Sequence, residues 1–152
     1  MKRTYLQDEA NTHYNLGIAY YTKGQYEQAI ADYTEAIRLK PGDALAYHCR
    51  GWAYYIMGQY DEAIVDYTES IRLKPDDPDA FGGRGAAYKG KGQHQQAIAD
   101  YTEAIRLNPN YASGYRDRGA VYKERGHHEQ AIVDDMEALR LNPDCGLAYS
   151  CF

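Results

Sequence analysis

The phrase QYEQAIADYTEAIRLKP at residues 25–41 returns as QYDEAIVDYTESIRLKP at 59–75, QHQQAIADYTEAIRLNP at 93–109 and HHEQAIVDDMEALRLNP at 127–143. Each copy lies 34 residues from the last, and the columns Gly17, Gly51, Gly85, Gly119 and Pro41, Pro75, Pro109, Pro143 keep that step without an insertion. A fixed period of this size implies a stack of like units, each burying its apolar face against its neighbours, in place of one closed globule.

Within the first copy the apolar residues Tyr26, Ala29, Ile30, Tyr33, Ala36, Ile37 and Leu39 fall three or four apart, which paints one stripe on a helix. Pro41 has no N–H to donate and pushes the preceding residue out of helical geometry, so the helix is expected to end near Lys40. Upstream, His13, Leu16, Gly17, Tyr20 and Tyr21 make a second pattern closed by Gly24, a residue suited to a left-handed helix end. Each unit therefore reads as a helical hairpin. Asp77 followed by Pro78 fits a cap and first helical position, and Asp8, Asp43 and Asn110 offer side-chain oxygens near other helix starts.

Leu16-Gly17 with Tyr20, Ala29, Tyr33, Ala36 and Pro41 resembles the tetratricopeptide-repeat signature, and four units in phase cover residues 10–143. The resemblance implies an all-α fold: a right-handed superhelical solenoid of four antiparallel helix-turn-helix repeats, at about 10–43, 44–77, 78–111 and 112–145. Residues 1–152 would form a single domain closed by a partial capping helix at 146–152. Two columns depart from the pattern. His13 stands where Tyr47, Phe81 and Tyr115 stand later, which should cost little at an exposed first helix, and Asp135 replaces the aromatic of Tyr33, Tyr67 and Tyr101.

The second helices barely differ, whereas the first helices vary, as a constant scaffold with a variable binding face would. The resemblance places the first helices on the concave wall, where such proteins bind peptides. The matching wall positions are Tyr14, Ile18, Tyr21, His48, Trp52 and Tyr55 in the first half, then Ala86, Lys89, Arg116, Ala120 and Lys123. A ligand is thus expected to carry apolar or aromatic parts and acidic parts, with Gly82, Gly83 and Ala86 leaving room between them for a bulky side chain. The specialised clamp for chaperone C-terminal carboxylates needs Lys, Asn and Arg at positions that here hold Tyr14, Ile18, Cys49, Asp79 and Gly83, so that ligand is not expected.

No converging nucleophile, base and charge stabiliser is visible, and neither a metal nor a cofactor is expected. His127-His128-Glu129 has adjacent ligands that diverge on a helix start, unlike the spaced pairs of zinc motifs. Gly82-Gly83-Arg84-Gly85 follows no strand and lacks the Lys-Ser/Thr ending of a phosphate loop. A net charge of −5 opposes general nucleic-acid binding, and no apolar run is long enough for a membrane helix. Cys49, Cys145 and Cys151 form no CxxC pair, and an odd number fits a reduced compartment, so a cytoplasmic location is expected.

The sequence therefore favours a non-enzymatic module binding a peptide of a partner protein, with a structural element assembling through its repeat ends as the alternative. Two further expectations concern the ends and junctions of the stack. Arg50, Arg84 and Arg118 should pair across unit boundaries with Asp32, Asp66 and Asp100. The C-terminal segment, where Leu147, Tyr149 and Phe152 follow Asp134 and Asp135, should promote end-to-end self-association.

Overall fold

A computed structural model of the chain describes residues 2–146. These form α1 (Lys2–Thr22), α2 (Tyr26–Leu39), α3 (Ala44–Ile56), α4 (Tyr60–Leu73), α5 (Pro78–Gly90), α6 (His94–Leu107), α7 (Ala112–Glu124), α8 (His128–Leu141) and a 3-10 turn, Pro143–Gly146. No strand occurs among the described residues. The chain divides into two compact units, Met1–Pro75 and Asp76–Phe152, each holding two helical hairpins. In the first, α1 packs on α2, α2 on α3 and α3 on α4; in the second, α5 to α8 repeat that order. The expected capping helix at 146–152 lies beyond the described residues, save for Gly146 in the 3-10 turn.

Hairpin turns follow from one glycine each. Gly24, Gly58, Gly92 and Gly126 adopt φ between 74° and 76°, where a Cβ would crowd the backbone. The chain closes there with paired bonds: Gly24 N–H donates to the Tyr21 carbonyl and Gln25 N–H to the Tyr20 carbonyl, and the other three turns repeat this. That is the Schellman arrangement, which satisfies carbonyls left open at a helix end. A Cβ on Gly58 would meet nothing within 4 Å. Gly58→Ala should therefore cost roughly 1 kcal/mol through backbone conformation alone. Gly42→Ala, at a position with open space and no positive φ, should be near neutral; equal urea midpoints for the two variants would refute this.

Helix starts follow the sequence in part. Asp43 and Asp77 accept from the backbone N–H of Leu45 and Asp79. Asp8 caps nothing, because α1 begins at Lys2, well before the expected start. Asn110 is not a cap either: Tyr111 occupies that position, and Asn108 Oδ1 accepts from Asn110 N–H.

The core is built of alanines and tyrosines. Ala29, Ala46, Ala53 and Ala63 are fully buried or nearly so in the first unit, and Ala80, Ala87, Ala97 and Ala104 in the second. Small side chains bring helix axes close, and the tyrosines fill the remaining volume. A Cβ on Gly17 would lie 2.5 Å from Tyr33 Cε1, and one on Gly85 would lie 3.0 Å from Tyr101 Cε1. These glycines are therefore seats for aromatic rings. In the fourth hairpin Asp135 Oδ1 takes that place, 2.8 Å from where a Cβ on Gly119 would stand.

The expected ionic ladder is wrong in its pairing. Arg50 forms a fork with Asp66, Nε to Oδ2 and Nη2 to Oδ1, both at 2.7 Å, inside its own hairpin. Arg84 pairs in the same way with Asp100, and Arg118 with Asp134. The reason is geometric: both partners lie on facing helices of one hairpin, 16 residues apart, and the guanidinium is held between rings on its own helix. Tyr47 and Tyr54 flank Arg50, and Tyr115 and Tyr122 flank Arg118, all with centroids 5.7 to 5.9 Å away. What crosses the junction is the remaining nitrogen: Arg50 Nη1 donates to Thr34 Oγ1 and Arg118 Nη1 to Thr102 Oγ1, both at 3.0 Å.

The first hairpin solves the same problem differently. Leu16 stands where the others have arginine, and Asp32 is met by His13 Nδ1 at 2.7 Å. His13 is thus not an idle departure from the aromatic column: it supplies the donor that Leu16 cannot.

Candidate partner-binding surface

Six of the expected wall residues gather on α1 and α3. Each of these helices turns one face toward α2 and α4, occupied by glycine, alanine and the tyrosine seats; Tyr14 and His48 border that face, against Tyr33 and Tyr67, whereas Ile18 and Trp52 are exposed. Trp52 is 39% exposed. Its indole N–H donates to the Tyr21 hydroxyl, and its ring stacks on Tyr55, with centroids 5.4 Å apart and planes 25° from parallel. Two residues outside the expected set extend the group. Tyr26 meets Tyr21 edge-on at 5.4 Å, and Tyr60 packs against Tyr55 at 5.7 Å. A signal for them existed in the sequence: the column Tyr26, Tyr60, His94, His128 changes character where Tyr21, Tyr55, Lys89, Lys123 does.

The other members are less available. Tyr14 is half-buried, its hydroxyl 3.6 Å from Cys49 Sγ and its ring 5.9 Å from Tyr33. Burial, reinforced by Cys49, pushes the Tyr14 phenol well above its ordinary range. Burial likewise raises the Cys49 thiol pKa, which keeps it protonated and argues for packing over nucleophilic chemistry. His48 meets Tyr67 edge-on at 5.4 Å, while Ile18 is exposed.

On the second unit the expected cations already have acidic neighbours. Lys89 Nζ lies 3.7 Å from Glu124, and Arg116 Nε lies 2.9 Å from its own neighbour Asp117. Lys123 is exposed and acts on Asp135, whose carboxyl is raised by burial and drawn back down by that lysine. The room expected at Gly82 is filled by the protein itself: a Cβ there would lie 2.6 Å from the Tyr111 hydroxyl. Gly82 is a seat for Tyr111, so it offers no space to a ligand side chain.

Among the described residues no group of three or more His, Cys, Asp or Glu is placed to hold a metal ion. His127 packs on Tyr122, with centroids 6.1 Å apart. A shallow depression of about 420 Å³ is lined by Arg50, Tyr54, Asp61, Glu62, Val65 and Asp66. Two of its charged groups, Arg50 and Asp66, are already joined in the fork. Along the outer faces Arg38, Arg72, Arg106 and Arg140 each pair with a glutamate three residues earlier. These arginines hold the glutamate carboxyls below their ordinary range, but exposed pairs of this kind add little stability. No described helix is long and apolar enough to cross a membrane.

Comparison with known families and structures agrees with this architecture. Family models described as tetratricopeptide repeat match residues 10–43 and 78–111, and again 32–65 and 100–133, while a TPR repeat model matches 51–92. No curated protein matches the sequence. Among solved structures, a crystal structure of MamA is 26% identical, with a TM-score of 0.84 over 90% of this chain and 80% of that one. The Arabidopsis OM64 TPR domain is 24% identical, with a TM-score of 0.77 over 78% and 98%. The first TPR of Spaghetti (RPAP3), solved bound to the HSP90 peptide SRMEEVD, is 22% identical, with a TM-score of 0.77 over 79% and 95%. The repeat models together span residues 10–133, and with the hairpins, glycine seats and Schellman turns they establish that this chain belongs to the tetratricopeptide-repeat family.

Proposed function

We propose that the chain is a non-enzymatic protein-interaction module, and that α1 and α3 take up a short segment of a partner protein. The observation that carries this reading is the Trp52–Tyr55 stack. A large aromatic pair, 39% exposed at Trp52, is held in place by Tyr21 and Tyr60 yet fills no core. Rigid aromatic side chains lose little entropy on contact and supply much apolar area, so they act as anchors in interfaces.

The partner segment should present apolar or aromatic side chains to this stack. The bound HSP90 peptide of the RPAP3 domain supports peptide capture by this fold. A chaperone carboxylate is a poor fit here, because Tyr14, Ile18 and Cys49 stand at clamp positions. Acidic ligand groups at Lys89, Arg116 and Lys123 would have to exchange with Glu124 and Asp117. Their contribution is therefore smaller than the count of cations suggests, and the apolar anchors carry most of the affinity.

Peptides selected from a random display library on the intact chain provide the test. Binding should change Trp52 fluorescence, the sole tryptophan signal. Trp52→Ala should weaken the selected peptides by roughly 10- to 30-fold, in keeping with an interface anchor. Peptides that bind Trp52→Ala as tightly as the parent would overturn the proposal.

A further inference from the structure

Inside each compact unit the junction between hairpins is polar at its centre. Arg50 reaches back to Thr34, and Arg118 reaches back to Thr102, each at 3.0 Å. In the 34-residue register the arginine position of the first hairpin is Leu16, and the threonine position of the last is Met136. Both are exposed, at 42% and 66%. The outer faces of terminal repeats are usually made polar for solubility. Here the change runs the other way at both ends, and the two changes match: a donor and acceptor give way to two apolar side chains.

The surroundings follow the same register. On α8, Ile132 and Leu139 lie one turn to either side of Met136 and are 58% and 43% exposed. Ile98, one repeat earlier than Ile132, is partly covered, and Ile37, in the column of Leu139, is buried. A second column is also complementary. Within the first unit the Tyr33 hydroxyl lies against the Cys49 thiol. The corresponding end residues are Asp135 and Asn15, a carboxylate acceptor and an amide donor, both exposed. Asp32, which elsewhere needs the arginine, is already met by His13. The α1 face thus presents Leu16 without leaving that carboxylate unpaired.

We propose that the α8 face of one copy docks on the α1 face of a second copy, head to tail, in the register that joins hairpins within the chain. Met136 then meets Leu16 of the second copy, and Asp135 meets its Asn15. The contact is heterologous: each copy keeps one free α1 face and one free α8 face, so addition continues unless the geometry closes a ring. Phe152 holds the sequence position that corresponds to Leu16, so the C-terminal residues, expected from the sequence to promote association, are instead the alternative occupant that the test must separate.

Sedimentation velocity on the intact 152-residue chain over about 10 μM to 1 mM gives the readout. The parent should show an average mass that rises with concentration. Leu16→Arg and Met136→Glu, each confirmed helical by circular dichroism, should each stay monomeric, with association at least about tenfold weaker, because Met136 offers no acceptor to a guanidinium where Thr34 does and Leu16 offers no donor to a carboxylate. Mixed one to one, the two variants should form a dimer and stop there, since only the Met136 face of one and the Leu16 face of the other remain intact. A parent that is monomeric throughout would show that residues 147–152 or solvent cover α8, and would overturn the proposal. So would self-association by Leu16→Arg alone, which would mean that two α8 faces meet each other.

Discussion

Arg50→Ala should lower the free energy of unfolding by about 3 to 5 kcal/mol, among the largest effects of any single substitution in the chain. The pair it breaks is well shielded: the Arg50 side chain is 17% exposed and that of Asp66 only 3%, so solvent screening does little to reduce the figure. The loss is chiefly the cost of leaving Asp66 buried without its partner, not the worth of the pair. Even with the fork in place, burial holds the Asp66 carboxyl above its ordinary range, outweighing the pull of Arg50. A fork that is nearly neutral when complete can still be expensive to open.

The sign of the pH dependence follows. Without Arg50 the Asp66 pKa rises further, so between its unfolded and folded values the native state binds more protons than the unfolded state. Stability of the variant then falls as pH rises through that window, and the deficit against the parent shrinks on going from about pH 7 to about pH 4. Urea titrations at the two pH values measure it; a deficit that grows on acidification would contradict the account. Arg50→Leu combined with Tyr47→His copies the chemistry of the first hairpin, where His13 serves Asp32 beside Leu16. It should recover part of what Arg50→Leu alone loses.

The ladder also shows where the sequence stops being legible. Period and spacing are enough for the hairpins, because a proline and a left-handed glycine mark two fixed points in every 34 residues. Arg50 can reach acids in its own hairpin and in the one before, and the repeat period makes both candidates recur identically. Only the facing geometry of α3 and α4 separates Asp66 from Asp32. His13 reads as a departure of little cost at an exposed helix for a related reason: its value depends on Leu16, three residues away, having given up a charge.

The candidate surface divides along the same line. Trp52, Tyr55 and Tyr21 could be placed off the packing face from helical spacing alone, since that requires only a local period. Tyr26 was signalled only by its column, which changes character with that of Tyr21; its own helix offers it a place in the apolar stripe, and its contact with Tyr21 arises only when α1 and α2 come together. Lys89 read as part of a cationic strip because sequence separation hides Glu124 from it, whereas Asp117 stands next to Arg116 in the chain, so that pairing was open to direct reading. Gly82 read as empty space because nothing in its own helix shows that Tyr111, 29 residues on, returns to fill it. Local facts were legible, and those depending on a second element were not.

Tyr33→Ala should cost about 3 to 5 kcal/mol, since it removes a ring that is 2% exposed and leaves a void between α1 and α2. Its glycine seat supplies the check. A Cβ on Gly17 would stand 2.5 Å from Cε1 and 2.6 Å from Cδ1 of that ring, well inside contact distance, so Gly17→Ala in the parent forces the ring or the helix to move and costs about 1 to 3 kcal/mol. Helical propensity alone favours alanine over glycine by about 1 kcal/mol. Once Tyr33 is gone the obstruction is gone, and the propensity should show: Gly17→Ala in the Tyr33→Ala background should be neutral or stabilising by up to about 1 kcal/mol. The sign change is the signature of direct contact between seat and ring, because residues that do not touch contribute additively. Urea unfolding of the four proteins closes the cycle. If Gly17→Ala costs the same in both backgrounds, Gly17 serves the backbone of α1 and not the ring that rests on it.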